Sequence, residues 1–442
     1  MKMRLLFIGL VAPLLAMAQS FTGAITGTVL DSTGAVVPKA SIVAINTATN
    51  ARTMAVSDAS GNYTVVSLSP GVYTLEVSAP GFKKHIRSGI VLEVSQQIRM
   101  DVTLSVGEVA ESITVSEGAV ALDAASSVIA KVVDNRAILN LPLNTRNVYS
   151  LIYLTPGVGG SIGNNYNSMS YSINGARTSL METIVDGVTG GHPTVQGYSG
   201  ISVFPSVDAI GEFKVMGANY SAEYGRSMGS VLNVVYKSGT NVWHGTAYEF
   251  LRNSKMDANN FFANRQGAPL ASFKRSQFGG VLSGPIKKDQ TFFLFSLEDL
   301  RERSFQSTTT TVPTELQRQG DFSKTLASNG QLIRIFDPFT TRPNPAGGFI
   351  RDQFPNNVIP ASRILTPSRN LMKYYPAPNA PGNPVTNAQN YFSTGSHKLN
   401  IDNYDARVDH NLSASKRFFV RYSQRYNEDA PAILFPEEIK VA

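Results

Sequence analysis

The chain has 442 residues, long enough for two or more folded units. It contains no cysteine, which excludes structural disulfides, thiolate metal sites, thiol nucleophiles and a lipid-modified N-terminal cysteine. Its formal charge of +7 is scattered rather than gathered into a basic run, so nucleic acid is not expected as a partner.

Lys2 and Arg4 precede an apolar stretch at 5–15, and Ala16, Met17 and Ala18 then supply a small-residue cleavage pattern. Residues 1–18 therefore read as a signal peptide, with the mature chain starting at Gln19. No later stretch offers about eighteen uninterrupted apolar residues, so any downstream insertion into a bilayer has to use β-structure.

Residues 19–105 carry short alternating runs at 25–30, 41–46, 63–68, 73–78 and 98–104, separated by Gly, Pro, Asp and Asn turn chemistry. Tyr63 and Val65, then Tyr73, Leu75 and Val77, give each run one apolar face, the pattern of two sheets packed as a sandwich. Gly27-Thr28-Val29, Pro38-Lys39-Ala40, Gly61-Asn62-Tyr63, Pro70-Gly71-Val72-Tyr73 and Pro80-Gly81-Phe82 make this segment resemble the carboxypeptidase regulatory-like (transthyretin-like) domain.

Residues 106–122 form a linker that holds one β-prone run, Glu111, Ser112, Ile113, Thr114 and Val115. By pattern it is a plain linker, a last strand of the sandwich, or an extended segment offered to the sheet edge of a partner. It resembles the TonB box of outer-membrane receptors, and that resemblance implies these five residues as the partner-binding segment.

Within 123–240, residues 135–141 and 146–154 read as helices, each stopped by a proline, Pro142 and Pro156. Two strands flank Asp186-Gly187 at a turn, and strands follow at 210–215 and 230–237. Ile184-Val185-Asp186-Gly187-Val188, Ile210-Gly211-Glu212-Phe213-Lys214-Val215, Glu223-Tyr224-Gly225 and Gly229-Ser230-Val231-Leu232-Asn233-Val234 resemble the plug domain of TonB-dependent receptors.

From 241 to 442 the rhythm is that of a transmembrane β-barrel, with strands expected at 243–252, 274–283, 291–303, 403–411 and 416–426. Polar turns at 285–290 and 412–415 alternate with long connections at 253–273 and 304–402. Tyr404, Ala406 and Val408 oppose Asp405, Arg407 and Asp409, and Phe418, Val420 and Tyr422 oppose Phe419, Arg421, Ser423 and Arg425, so one face suits lipid and the other a wet lumen. Trp243, Tyr248, Phe250, Phe292, Phe293 and Phe295 are expected to face lipid or form an interfacial girdle. Ser238-Gly239-Thr240-Asn241, Gln277-Phe278-Gly279-Gly280, Gly320-Asp321-Phe322-Ser323 and Arg407-Val408-Asp409-His410 resemble the Oar-like TonB-dependent receptors.

The expected class is thus mainly β: a transthyretin-like β-sandwich, an α+β plug and an incomplete antiparallel transmembrane β-barrel. Barrels of the resembling receptors close with roughly twenty-two strands, whereas this chain has room for about five, so it reads as an N-terminal fragment or a truncated gene product.

No catalytic chemistry is expected. His85, His192, His244, His397 and His410 start no zinc-binding pattern, and no phosphate loop or nucleophile elbow occurs, so neither metal nor cofactor is expected. Glu298, Asp299 and Glu302 read as residues alternating between lumen and rim rather than as an acid-base pair.

The resemblance implies a Gram-negative outer-membrane receptor, its N-terminal domain periplasmic, that takes up a small molecule or oligosaccharide. It also implies coupling to the TonB-ExbB-ExbD complex of the inner membrane, with outer-membrane lipid around the wall. The competing reading is a surface or periplasmic binding and adhesion module that holds carbohydrate or protein without transporting it.

Overall fold

The computed structural model describes residues 22–107, 112–116, 130–133, 135–141, 143, 146–162, 169–177, 181–190, 203–217, 219–225, 227, 229–259, 261–265, 270–414 and 416–433. The leader at 1–18, Glu111 and His192 lie outside them.

Nine strands build the N-terminal sandwich: β1 (Gly23–Asp31), β2 (Ser41–Asn46), β3 (Arg52–Val56), β4 (Asn62–Leu68), β5 (Gly71–Ser78), β6 (Lys84–Leu92), β7 (Gln97–Arg99), β8 (Val102–Leu104) and β9 (Ser112–Ser116). One sheet runs β4-β1-β7 with β8 also on β1, and the other runs β3-β2-β5-β6-β9. Period-two alternation decides what is buried: Ile25, Val29, Ile42, Ala44, Leu75 and Val77 all point into one core, each fully shielded from solvent. Tyr63 enters the same core and keeps its hydroxyl satisfied by donating to the Met100 carbonyl at 2.7 Å. Burial pushes the Tyr63 phenol well above its ordinary value, with the Asp101 charge adding to the effect.

The middle body holds β10 (Ala130–Val133), β11 (Val158–Ile162), β12 (Met169–Ile173), β13 (Met181–Val185), β14 (Val188–Thr189), β15 (Ile210–Met216) and β16 (Ser230–Tyr236). Its main sheet has the order β10-β15-β16-β13-β14, and every residue of central strand β16 is buried. Residues 146–154 do not form an α-helix: the turn is a 3-10 helix at Val148–Leu154, and Arg146 sits before it with a positive φ of 48°. Asn147 sets that start, its side chain accepting from the Tyr149 amide.

The C-terminal wall has β17 (His244–Asn253), β18 (Phe273–Lys287), β19 (Thr291–Thr310), a small ribbon of β20 (Arg342–Pro343) and β21 (Phe349–Ile350), then β22 (Tyr391–Ser413) and β23 (Lys416–Ala430). The long strands pair in the order β17-β18-β19-β22-β23. β22 runs 23 residues where about ten would cross a bilayer, so the strands outlast the expected spans and shorten the connection after β19.

Two compact units divide the chain. The first comprises Met1–Tyr248, Phe278–Glu298 and Asp402–Tyr426; the second comprises Glu249–Gln277, Asp299–Ile401 and Asn427–Ala442. In the first unit the middle body and the wall share one apolar core, in which Val281 and Leu294 join Phe213, Leu232 and Tyr149. This corrects the expected girdle: Phe292 is only 2% exposed, and Tyr248 donates its hydroxyl to Glu298 rather than facing lipid. The reason is that the wall's inner face meets apolar protein here as well as polar groups. The outward set matches expectation elsewhere, with Phe295, Tyr404, Phe418, Val420 and Tyr422 exposed.

The second unit shows that the long connection is folded. A helix at Glu315–Arg318 starts with a reciprocal capping box between Thr314 and Gln317. Asn357, 1% exposed, accepts from the Ile335 amide and donates to the carbonyls of Phe322 and Ile333, tying three segments to one side chain.

Gly27 in β1 marks the tightest point of the sandwich, because a Cβ there would lie 1.7 Å from the Met100 carbonyl oxygen. Gly27→Val is expected to lower sandwich stability by at least about 1–3 kcal/mol, read as a lower urea midpoint. An unchanged midpoint would mean that the Met100 segment yields freely.

Candidate functional site

A buried polar cluster of the first unit lies where the middle body meets β22 and β23. Its centre is Asp186, in the Asp186-Gly187 turn that joins β13 to β14. Both turn residues have positive φ, 48° and 80°, the conformation of the two-residue hairpin turn that this dipeptide favours. The turn aims the Asp186 side chain inward. It accepts from the Tyr236 amide at 3.1 Å, while Arg407 and Arg421 approach its two oxygens at 3.2 and 2.9 Å.

Alternation supplies those guanidiniums: Arg407 and Arg421 occupy the lumen-facing positions of β22 and β23 that the sequence pattern assigns to the wet face. Arg407 is shared with Asp409 at 2.8 Å and stacks over the Phe419 ring at 4.4 Å. Arg421 stacks over Tyr236 at 4.6 Å, and the Tyr236 hydroxyl donates to Asp405 at 3.0 Å. The Asp186 side chain is 1% exposed. Burial pushes its carboxyl above the ordinary value, and the Arg407 and Arg421 charges act in the opposite direction. Burial likewise raises the Tyr236 phenol far above its usual range, so it acts as a neutral donor.

A second cluster joins the same two parts. Arg146 pairs with Asp208 at 2.6 Å and lies over the Tyr248 ring at 4.6 Å, and Tyr248 bonds Glu298 at 2.7 Å and Ser206 at 2.9 Å. Glu298 is thus a tie between wall and body, whereas in the second unit Asp299 pairs with Arg301 and Glu302 with Arg275.

The sandwich reaches the middle body through the turn at Val94 and Ser95. Ser95, with φ of 50°, accepts on its hydroxyl from Tyr224 and Asn233, and its carbonyl accepts from Lys214. The Val94 carbonyl accepts from Lys214 too. The sandwich also meets the wall's turns: Asn50 donates to Asp289, Asn241 donates to Asp289 and to the Ala48 carbonyl, and Arg417 donates to the Ser67 carbonyl. A cavity of ≈ 620 Å³ remains between these parts, bordered by Val72, Leu92, Asn135, Lys237, His244 and Arg407.

The expected partner-binding segment is placed as β9. Ser112, Ile113, Thr114 and Val115 pair in parallel with Lys84, His85, Ile86 and Arg87 of β6, at the edge of the sandwich. Of the histidines, His410 meets the Thr291 hydroxyl at 2.8 Å in the first unit, and His397 meets Asp429 at 2.7 Å in the second. Among the described residues no group of three or more His, Asp or Glu side chains is arranged to hold a metal ion.

In the second unit Phe339 and Phe349 are 84% and 76% exposed, and Arg363 braces the Phe339 ring from 4.6 Å while pairing with Asp337. Such exposed rings can stack on a flat apolar or sugar face.

Residues 235–440 match the outer membrane beta barrel domain, and residues 24–105 match the carboxypeptidase regulatory-like domain. The TonB-dependent transporter Oar of Myxococcus xanthus is 30% identical over 293 residues. That match covers 63% of this chain and 26% of Oar, so the chain spans about a quarter of that relative's length. Among solved structures, the outer membrane transporter YddB from Escherichia coli is 12% identical, with 68% of this chain and 33% of that one covered at a TM-score of 0.38. The siderophore receptor PirA from Pseudomonas aeruginosa is 13% identical, covering 68% and 41% at a TM-score of 0.31.

Removing one partner of a buried pair leaves an uncompensated charge, so Arg421→Met is expected to cost about 3–5 kcal/mol. Adding Asp186→Asn to it should recover part of that loss, measured by thermal melting of the purified protein. Additive losses in the double variant would show that the two residues do not interact.

Proposed function

We infer, for a chain that belongs with the Oar-like TonB-dependent receptors of the outer membrane, that it works in energy-coupled uptake of a ligand across that membrane. In this reading the middle body is the plug, the long strands are part of the lipid-embedded wall, and the sandwich stands on the periplasmic side. The Asp186 cluster is the observation that carries the reading. A globule held to a wall by a few buried ion pairs is secure at rest, yet all of its tethers can be broken together.

Each tether is built so that breaking it has a cost. Withdrawing Asp186 takes the carboxylate from buried Arg421 and leaves Arg407 with Asp409 alone, which keeps the resting arrangement populated without a ligand. Ligand binding on the outer side then has to favour the loosened state, because a ligand with equal affinity for both states shifts nothing. Energy from the inner membrane, delivered by the TonB-ExbB-ExbD complex through residues 111–115, completes the displacement. The cavity beside Arg407 offers the plug room to shift. The protein acts by binding and movement, without covalent chemistry.

The exposed Phe339 and Phe349 rings favour a second reading, in which the outer segments hold an oligosaccharide at the surface without moving it inward. Deleting residues 111–115 from the full-length receptor separates the two. The uptake reading expects growth on the receptor-dependent nutrient to be lost while cells still bind that nutrient. Undiminished growth would defeat it and leave surface binding as the function.

A further inference from the structure

The sandwich is complete before β9 is added. Its core closes between the sheet on β1 and the sheet on β2, β5 and β6, and every residue of that core lies between Ile25 and Leu104. The chain then returns to an edge it has already touched. Phe82 bridges Val106, the Lys83 amide donates to the Ser105 carbonyl, and the Gly107 amide donates to the Gly81 carbonyl. After residues 108–111, the stretch Ser112–Ser116 runs parallel to Lys84–Ser88 in unbroken register. Residues on both sides of that gap are therefore stitched to one continuous edge from 81 to 88.

The length of the acceptor edge is set by β6 itself. Gly89 has φ of 80°, and the register to β5 slips there: Tyr73 faces Ile90 while Leu75 faces Arg87, so Ser88 and Gly89 together oppose Thr74. This bulge ends the regular edge after Ser88. Five residues of straight edge remain, and five residues of the linker fill them. Backbone pairing of this kind recognises an extended strand through its amides and carbonyls, as in strand addition to a sheet edge.

We propose that the Lys84–Ser88 edge of the sandwich is a strand-acceptor site whose occupant at rest is the chain's own Ser112–Ser116, and that this strand is given up when the energy-transducing partner takes it. The proposal rests on the coupling role inferred above for residues 111–115 and adds where that segment is kept. Parallel pairing through a single edge suits reversible retention: the strand is ordered in extended form, yet no closed core has to open for it to leave. The acceptor edge and the partner compete for one strand, so sandwich and partner set the resting occupancy between them.

The chain has no cysteine, which makes a thiol test clean. Ile86 and Thr114 face each other in the register, so Ile86→Cys with Thr114→Cys can be bridged by a short thiol-reactive cross-linker in the full-length receptor. The probe is the purified periplasmic domain of TonB, immobilised, with capture of the detergent-solubilised receptor as the readout. Bridging is expected to reduce capture about tenfold or more, with each single cysteine variant, treated alike, captured as well as the unmodified receptor. Equal capture of bridged and unbridged receptor would overturn the acceptor site, since the strand would then be read in place. Deleting residues 112–116 is the control for the underlying role: if the deleted receptor is captured normally, the coupling reading itself fails and the proposal falls with it. Normal capture of the bridged receptor beside lost capture of the deleted one overturns the retention site alone.

Discussion

A carboxylate taken out of water must be matched, and in this protein the matching of Asp186 determines how the middle body is held. Its turn is forced inward by two positive-φ residues, and its charge is met by guanidiniums from two different strands of the wall. Neither part satisfies this cluster alone. Without Asp186 the wall would keep Arg407 on Asp409 but leave Arg421 without its 2.9 Å carboxylate, and without the wall the body would carry a desolvated anion. The Arg146 cluster repeats the logic at a second position with a different donor, so the body is held at two points rather than pivoting on one.

Much of this was legible in the residues. Period-two alternation assigned Asp405, Arg407 and Arg421 to the inner face and Tyr404, Val408 and Val420 to the outer one, and the burial follows that assignment. Turn chemistry located the sandwich strands as well: Gly34 and Gly61 both adopt positive φ between them. The pairing of Asp186 with two arginines over 200 residues away in sequence was not legible. Local pattern records which face a residue takes, not what stands opposite it.

The misassigned aromatics have a related cause. Phe292 and Tyr248 look like girdle residues when a barrel is assumed to enclose water, but Phe292 shares the inner face of β19 with Leu294, which enters the apolar core of the middle body, and Tyr248 bonds Glu298. An inner face covered by protein reverses the rule for which aromatics face inward. Strand length was similarly underread, because the expectation stopped at the thickness of a bilayer while the ladder continues wherever a neighbouring strand is present. The linker left three readings open, since a five-residue run of Ser, Thr, Ile and Val says nothing about an edge 28 positions upstream; only the register to β6 resolves where it lies.

The sandwich is held largely by its own main chain: the carbonyls of Ala48, Ser67, Val94 and Ser95 accept from Asn241, Arg417 and Lys214. A carbonyl is present whatever residue carries it, so drift in the composition of these three loops leaves those four contacts unchanged. The burden of identity falls on the donors opposite. Related chains can therefore exchange one such module for a divergent one while keeping two cationic side chains and one main-chain amide in place, a socket that reads shape and ignores spelling.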